Sequence, residues 1–187
     1  MKSVFVALSL VCAGALLAGC ETTSSMPYQA STQNVIGVQN RLKASDAKVR
    51  LGLFTAAPGV DKPTCRAAGQ LDVAPGKSLE GYIRDALQTE LFMAGVYDES
   101  KGATISGRVE KVDVNTFGTG SWSLTMSVSS TADAAGYTVS NSYPFASSFS
   151  AVSACQNAAT AFNPAVQELL GKVVNHPGFS RLAGASQ

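Results

Sequence analysis

The residues best able to do chemistry in this chain are its thiols. Cysteines stand at positions 12, 20, 65 and 155, with a single histidine, His176. A zinc site or a redox dithiol would need C-x-x-C or clustered Cys/His spacing. Neither occurs, so no metal is expected. His176 could act as a general base, but no sequence partner accompanies it. Behind a helical stretch it reads more simply as a C-terminal histidine that complements the helix dipole. Gly76-Lys77-Ser78 resembles the end of a phosphate loop, yet that loop requires glycine where Leu71 stands. There is no G-x-S-x-G. Gly118-Thr119-Gly120 lacks the third glycine of a dinucleotide loop. The sequence therefore points to no catalytic residue, no cofactor and no enzyme.

Cys20 is a different case. Lys2 is the only charge before it, and Val4 to Ala18 is an almost unbroken apolar run. A basic start, an apolar middle and a small-residue end describe a secretory signal peptide over residues 1–19. The run falls short of the ~20 apolar residues that cross a bilayer. Leu17-Ala18-Gly19-Cys20 resembles the lipobox of bacterial lipoproteins. That likeness implies a diacylglyceryl thioether on the Cys20 sulfur, cleavage before Cys20 and acylation of the new amine. Several acyl chains on one residue anchor stably, as one chain does not. Asp after the cysteine is the usual inner-membrane retention signal in Gram-negative lipoproteins. Glu21 is a weaker match, so the likeness implies the periplasmic face of the outer membrane.

Composition agrees with an anchored domain. Removing residues 1–19 takes Lys2 away, so the remaining basic residues balance 13 acidic ones. Only 14% of the chain is charged. No basic patch stands out, which argues against nucleic acid as a partner. With Cys12 removed and Cys20 lipidated, Cys65 and Cys155 remain as an even pair in an oxidising compartment. They read as one disulfide. Its long loop would stabilise the fold by roughly 4 kcal/mol in the chain-entropy model.

The elements follow from periodicity. Residues 20–46 lack a sustained pattern and read as a lipidated N-terminus and tether, with a short helix near Thr32–Lys43. A single domain is expected over 47–180 and a mobile tail over 181–187. Val49, Leu51 and Leu53 alternate with Arg50, Gly52 and Phe54 in a first strand. Ser78 caps a helix to about Val96, with the apolar stripe Leu79, Tyr82, Ile83, Ala86, Leu87, Leu91 and Ala94. On its wet face Glu80 and Arg84 are spaced to pair. A strand over Thr104–Phe117 changes parity at Glu110-Lys111, the signature of a β-bulge. Trp122, Leu124, Met126 and Val128 then alternate with serines and Thr125, a half-buried strand with one solvated face. Tyr137 to Phe145 alternates again, and Pro144 makes that strand an edge or bulges it. Ala151 to Val174 is helical, interrupted at Asn163-Pro164. The result is an α+β two-layer sandwich: a four-stranded mixed sheet with two helices on one face, in the order β-α-β-β-β-α.

Two surfaces could bind something. Tyr82, Trp122, Tyr137 and Tyr143 could line a pocket for lipid, though aromatic residues at these periodicities are more often core. The stretch Tyr137–Phe149 has no charge to protect an edge strand, so it is either covered by the segment before the first strand or open to a partner strand. The lipobox, the helix from Leu79 to Gly95, the serine-rich meander from Ser121 to Phe149 and the terminal helix together resemble the YajG-type family of Gram-negative lipoproteins. A similar layout occurs in the lipopolysaccharide-assembly lipoprotein and in auxiliary lipoproteins of envelope transporters. The likeness carries no activity over and transfers only Cys20, as the lipid site; the function expected is a non-enzymatic interaction or accessory module of an envelope assembly. The alternative is a lipoprotein that binds a small lipid or glycan.

Overall fold

A computed structural model describes residues 27–74 and 76–185. The signal-peptide and lipobox residues, Cys20 among them, lie outside this range. Helix α1 covers Thr32–Leu42, β1 Val49–Ala56, α2 Leu79–Met93, β2 Ala103–Asn115, β3 Gly120–Ser130, β4 Tyr137–Phe145, α3 Ala151–Val174 and α4 Phe179–Leu182. A 3-10 turn at Arg66–Ala68 interrupts the long β1–α2 loop.

The sheet order is β1-β2-β3-β4. β1 and β2 run parallel, joined through α2, and the other two pairs are antiparallel. The α+β sandwich with a mixed four-stranded sheet is therefore the fold. α2 packs over β1, α3 packs over β3 and β4, and α1 lies across α2 and α3. Ile83, Leu87 and Leu91 of α2 meet Val166, Leu169, Leu170 and Val173 of α3 above Ile105, Val109, Leu124 and Met126 of the sheet, all buried. Ser78 caps α2 through the Gly81 N–H (3.2 Å), which supplies an acceptor to an otherwise orphan donor. Among the described residues, no helix is long and apolar enough to cross a membrane.

The bulge in β2 lies between Val109 and Lys111. It leaves Glu110 without a partner in the ladder and returns Val112 and Val114 to the side of Leu124 and Trp122, as the parity change requires.

Five expectations need correction. In β1 the alternation breaks at a bulge between Leu51 and Phe54, so Phe54 enters the core while Leu53 is 73% exposed. Gly107 of β2 makes room for that ring, since a Cβ there would sit 2.5 Å from it. Second, the chain is no free tether from Pro27 onward: Val38 and Leu42 of α1 are fully or almost fully buried. Third, α3 runs unbroken through Pro164. It loses one backbone donor there, but its buried stripe continues through Phe162, Ala165 and Val166 and outweighs that loss. Fourth, residues 181–185 are not a loose tail, because Phe179, Leu182 and Ala183 are buried. Fifth, Arg84 donates to the Gly52 carbonyl (3.2 Å) and to Gln88 (3.2 Å) rather than pairing with Glu80.

Candidate functional site

The two thiols meet as expected. Cys65 and Cys155 form a disulfide with Cα atoms 5.8 Å apart. It bolts the β1–α2 loop to the second turn of α3, and both residues are buried.

The four aromatic residues read as a pocket do not form one. Trp122 is fully buried, its ring 5.0 Å from that of Phe162, and its Nε1–H donates to the Ala158 carbonyl (2.8 Å). Tyr82 packs on the same Phe162 at 5.5 Å. Tyr137 is elsewhere, stacked on His176 at 3.8 Å, with its hydroxyl donating to the Val173 carbonyl (2.8 Å). Tyr143 is half-buried opposite Trp122 in the ladder. Phe162 fills the space a ligand would need. His176 is likewise engaged: its Nδ1 accepts the Gly178 N–H (3.0 Å).

β4 is an edge strand, in continuous register with β3, so Pro144 marks an edge and not a bulge. The segment before β1 does not cover it, since α1 packs on the helices instead. A charge nevertheless reaches the edge from another element. Lys172 of α3 donates to the Ser140 carbonyl (2.9 Å), and Asn157 donates to the Ala146 carbonyl just beyond the strand (2.9 Å).

The most exposed apolar site lies at the end of the sheet, beside the disulfide. The β2–β3 turn places Phe117 there and the β4–α3 loop places Phe149, 68% and 108% exposed. Between them runs an open groove of ≈ 320 Å³ lined by Arg66, Phe117, Gly118, Ser147, Ser148 and Phe149. Arg66 builds it. Its backbone has φ of 42°, a strained conformation for a non-glycine residue that its surroundings must hold. Its guanidinium donates to Thr116 Oγ1 (3.2 Å), the Thr116 carbonyl, Ser147 Oγ (3.2 Å) and the Ser148 carbonyl (2.9 Å). It also lies 4.6 Å from the centre of the Phe117 ring, a cation–π contact. One side chain thus clips the turn to the loop. The sequence offered only a cation next to Cys65 in a long loop, too little to find this.

A second site missed by sequence sits at the root of the tether. Glu90 falls on the apolar stripe of α2 and is fully buried. Its Oε1 accepts from the Tyr28 hydroxyl (2.5 Å), the Ser31 N–H (2.9 Å) and Asn34 Nδ2 (3.1 Å). Oε2 is buried with no partner among the described residues. Burial and then the bond to Glu90 hold the Tyr28 phenol well above its ordinary pKa. The signal was available, because a carboxylate in register with Ile83 and Leu87 cannot face water.

No protein-family model matches the chain. No curated protein matches it. The YajG-type likeness thus has no support from either comparison. Among solved structures, a similar chain is protein XCC0632 from Xanthomonas campestris, described as DUF330. The two share 16% identity, and the match covers 74% of this chain and 85% of that one at a TM-score of 0.49. A likeness of that size assigns this chain neither a family nor an activity.

Proposed function

We propose that the chain is a lipid-anchored protein of a Gram-negative envelope, held through Cys20 at the periplasmic face of the outer membrane, and that it works as a non-enzymatic interaction module of an envelope assembly. The anchor rests on Leu17-Ala18-Gly19-Cys20 behind its apolar run. The disulfide Cys65–Cys155 is in keeping with an oxidising compartment. The observation that favours an interaction module over a small-ligand binder is the filled interior. Trp122 and Phe162 close the space between helices and sheet, where a lipid would have to lie.

A partner strand adding to β4 is the docking mode proposed for a protein partner, with Lys172 displaced from the Ser140 carbonyl as the strand arrives. Thr138 and Ser142 are exposed on β4. Lys at both positions should leave the fold intact and weaken capture of the partner in a crosslinking pull-down from membranes. Undiminished capture by this variant would remove β4 as the interface. The anchor has its own test. Cys20→Ala should give soluble protein or an uncleaved precursor, and recovery of that variant as mature protein in outer membranes would refute the anchor.

A further inference from the structure

We infer that the end of the domain carrying Phe117, Phe149 and Val152 seats directly on a lipid surface. The inference rests on the proposed anchor at Cys20 and adds an orientation to it.

Three apolar side chains point into solvent at this one end. Phe117 is in the β2–β3 turn, Phe149 in the β4–α3 loop and Val152 in the first turn of α3, at 68%, 108% and 58% exposure. Phe149 gains nothing from folding, since it is as open as in an extended chain. The structure nonetheless holds its surroundings rigid. The disulfide fixes Cys65, and Arg66 clips the Phe117 turn to the Phe149 loop through Thr116, Ser147 and Ser148. Rings held outward by a braced frame lose little freedom when they enter an interface.

The chemistry of the patch suits lipid. Among the described residues, Arg66 is the only charged one lining the groove, and no carboxylate lines it. Aromatic rings beside a cation are what sits well at a membrane–water boundary with anionic headgroups. Away from this end, on α2, the exposed aromatic residue Phe92 has Met93 beside it, and these are 68% and 59% exposed. Asp98 and Glu99 follow close behind in the chain, an unfavourable pair for an anionic surface.

The leash permits the contact. The domain is gripped at Pro27, whose carbonyl accepts from Asn163 Nδ2 (3.2 Å), and at Gln29, whose carbonyl accepts from Gln167 Nε2 (2.8 Å). From Asn163 back to Ala151 at the tip end, α3 spans ~18 Å at the usual helical rise. The chain from Cys20 to Pro27 reaches at most ~25 Å when fully extended. A lipid on Cys20 can therefore lie in the plane that the tip touches, with α3 standing on its N-terminal end.

The test uses the full lipidated chain in vesicles of phosphatidylethanolamine and phosphatidylglycerol with brominated acyl chains. Trp122 is the only native tryptophan and is fully buried, so it gives a constant background. Phe149→Trp should shift its emission to the blue and lose most of its intensity, while Phe92→Trp should do neither. Protein that floats with the vesicles while Phe149→Trp stays unquenched overturns the inference and leaves the anchor standing. Quenching at position 92 instead of 149 also overturns it. If Cys20→Ala still floats with Phe149→Trp quenched, the tip stands and the anchor falls. If the full chain neither floats nor is quenched, both are lost. A benzophenone side chain placed at 149 in cells should yield lipid adducts, and a discrete protein adduct would replace lipid with a protein partner.

Discussion

The two ends of α3 are tied to the rest of the molecule in opposite ways. At its N-terminal end the ties are Cys65–Cys155 and the Arg66 clip, and the polar contacts lie inside while Phe117 and Phe149 face out. Along its second half the tie is α1, with apolar Val38 and Leu42 inside and the buried Glu90 as the pin. Close approach makes the second tie work. A Cβ on Gly37 would stand 2.6 Å from Asn175, and one on Gly171 would stand 2.7 Å from Asn34. That leaves Asn34 free to bridge Glu90 and the Gln167 carbonyl (2.9 Å). The difference shows where burial stabilises folding and where it is left for something else. The α1 side spends its apolar surface on the fold, and the tip keeps its apolar surface outside.

This contrast can be broken at several points. The largest effect should come from the covalent tie. Cys65 and Cys155 are 90 residues apart, and a loop of that length corresponds to about 4.6 kcal/mol of stabilisation in the chain-entropy model. Replacing both with Ala should lower the unfolding free energy accordingly and steepen the urea slope, because the unlinked unfolded chain exposes more surface. A loss below ~1 kcal/mol would show that Arg66 and the core hold the loop unaided.

Glu90→Leu should come next. It strips the acceptor from the Tyr28 hydroxyl, the Ser31 N–H and Asn34 Nδ2 at once. Leaving such donors without a partner costs about 2–3 kcal/mol in all. Glu90→Gln keeps the oxygen that all three donors use and should cost far less. Equal losses for Leu and Gln in thermal unfolding would show that charge, and not the acceptor, holds α1. Hydrogen exchange should show the Leu variant opening first at residues 31–42 while β2 and β3 stay protected.

A pH effect should be smaller still. Burial raises the phenol pKa of Tyr28, Tyr82 and Tyr137, with Glu90 adding to it at Tyr28 and Asp133 at Tyr137. In the unfolded chain these phenols release protons near pH ~10, whereas the folded chain retains them. The unfolded state therefore binds fewer protons above that pH, and stability must fall as pH rises past it. Below it the contribution is complete. Tyr28→Phe should flatten the alkaline decline, and an unchanged decline would assign it to other groups.

Much of this architecture was legible in the sequence. The serine alternation of β3, the bulge at Glu110 and the Ser78 cap follow from local rules of pleat and helix end, which need no tertiary information. The disulfide was legible through an even count. The phase of β1 was not, because it depends on Gly107 in another strand making room for Phe54. The pocket reading failed for a similar reason: Phe162, which fills the space beside Trp122, comes from a helix forty residues further along. Nor was the charge at the β4 edge visible, since Lys172 reaches Ser140 from α3. Glu90 was readable from helical spacing, while Arg66 was not. Its partners come from two separate segments, the β2–β3 turn and the β4–α3 loop, that only the fold assembles.

The smallest expected effect is the sharpest test of the contrast. Phe117 and Phe149 are large apolar residues, and in a core their truncation would cost about 3–5 kcal/mol. Here both are exposed, so burial contributes almost nothing to their place in the fold. Phe117 has one further contact, with the Arg66 guanidinium, and an exposed cation–π pair is worth only about 0.5–1 kcal/mol. Phe149→Ser should therefore change the unfolding free energy by less than ~0.5 kcal/mol, the ordinary range for a surface substitution. Phe117→Ser should cost slightly more, through Arg66. On the α1 side the opposite holds: Val38→Ser removes a fully buried side chain and leaves a hydroxyl in its place, a change worth about 2 kcal/mol or more. If Phe149→Ser destabilises the protein as much as Val38→Ser, the tip belongs to the fold and its rings are not held out for a surface.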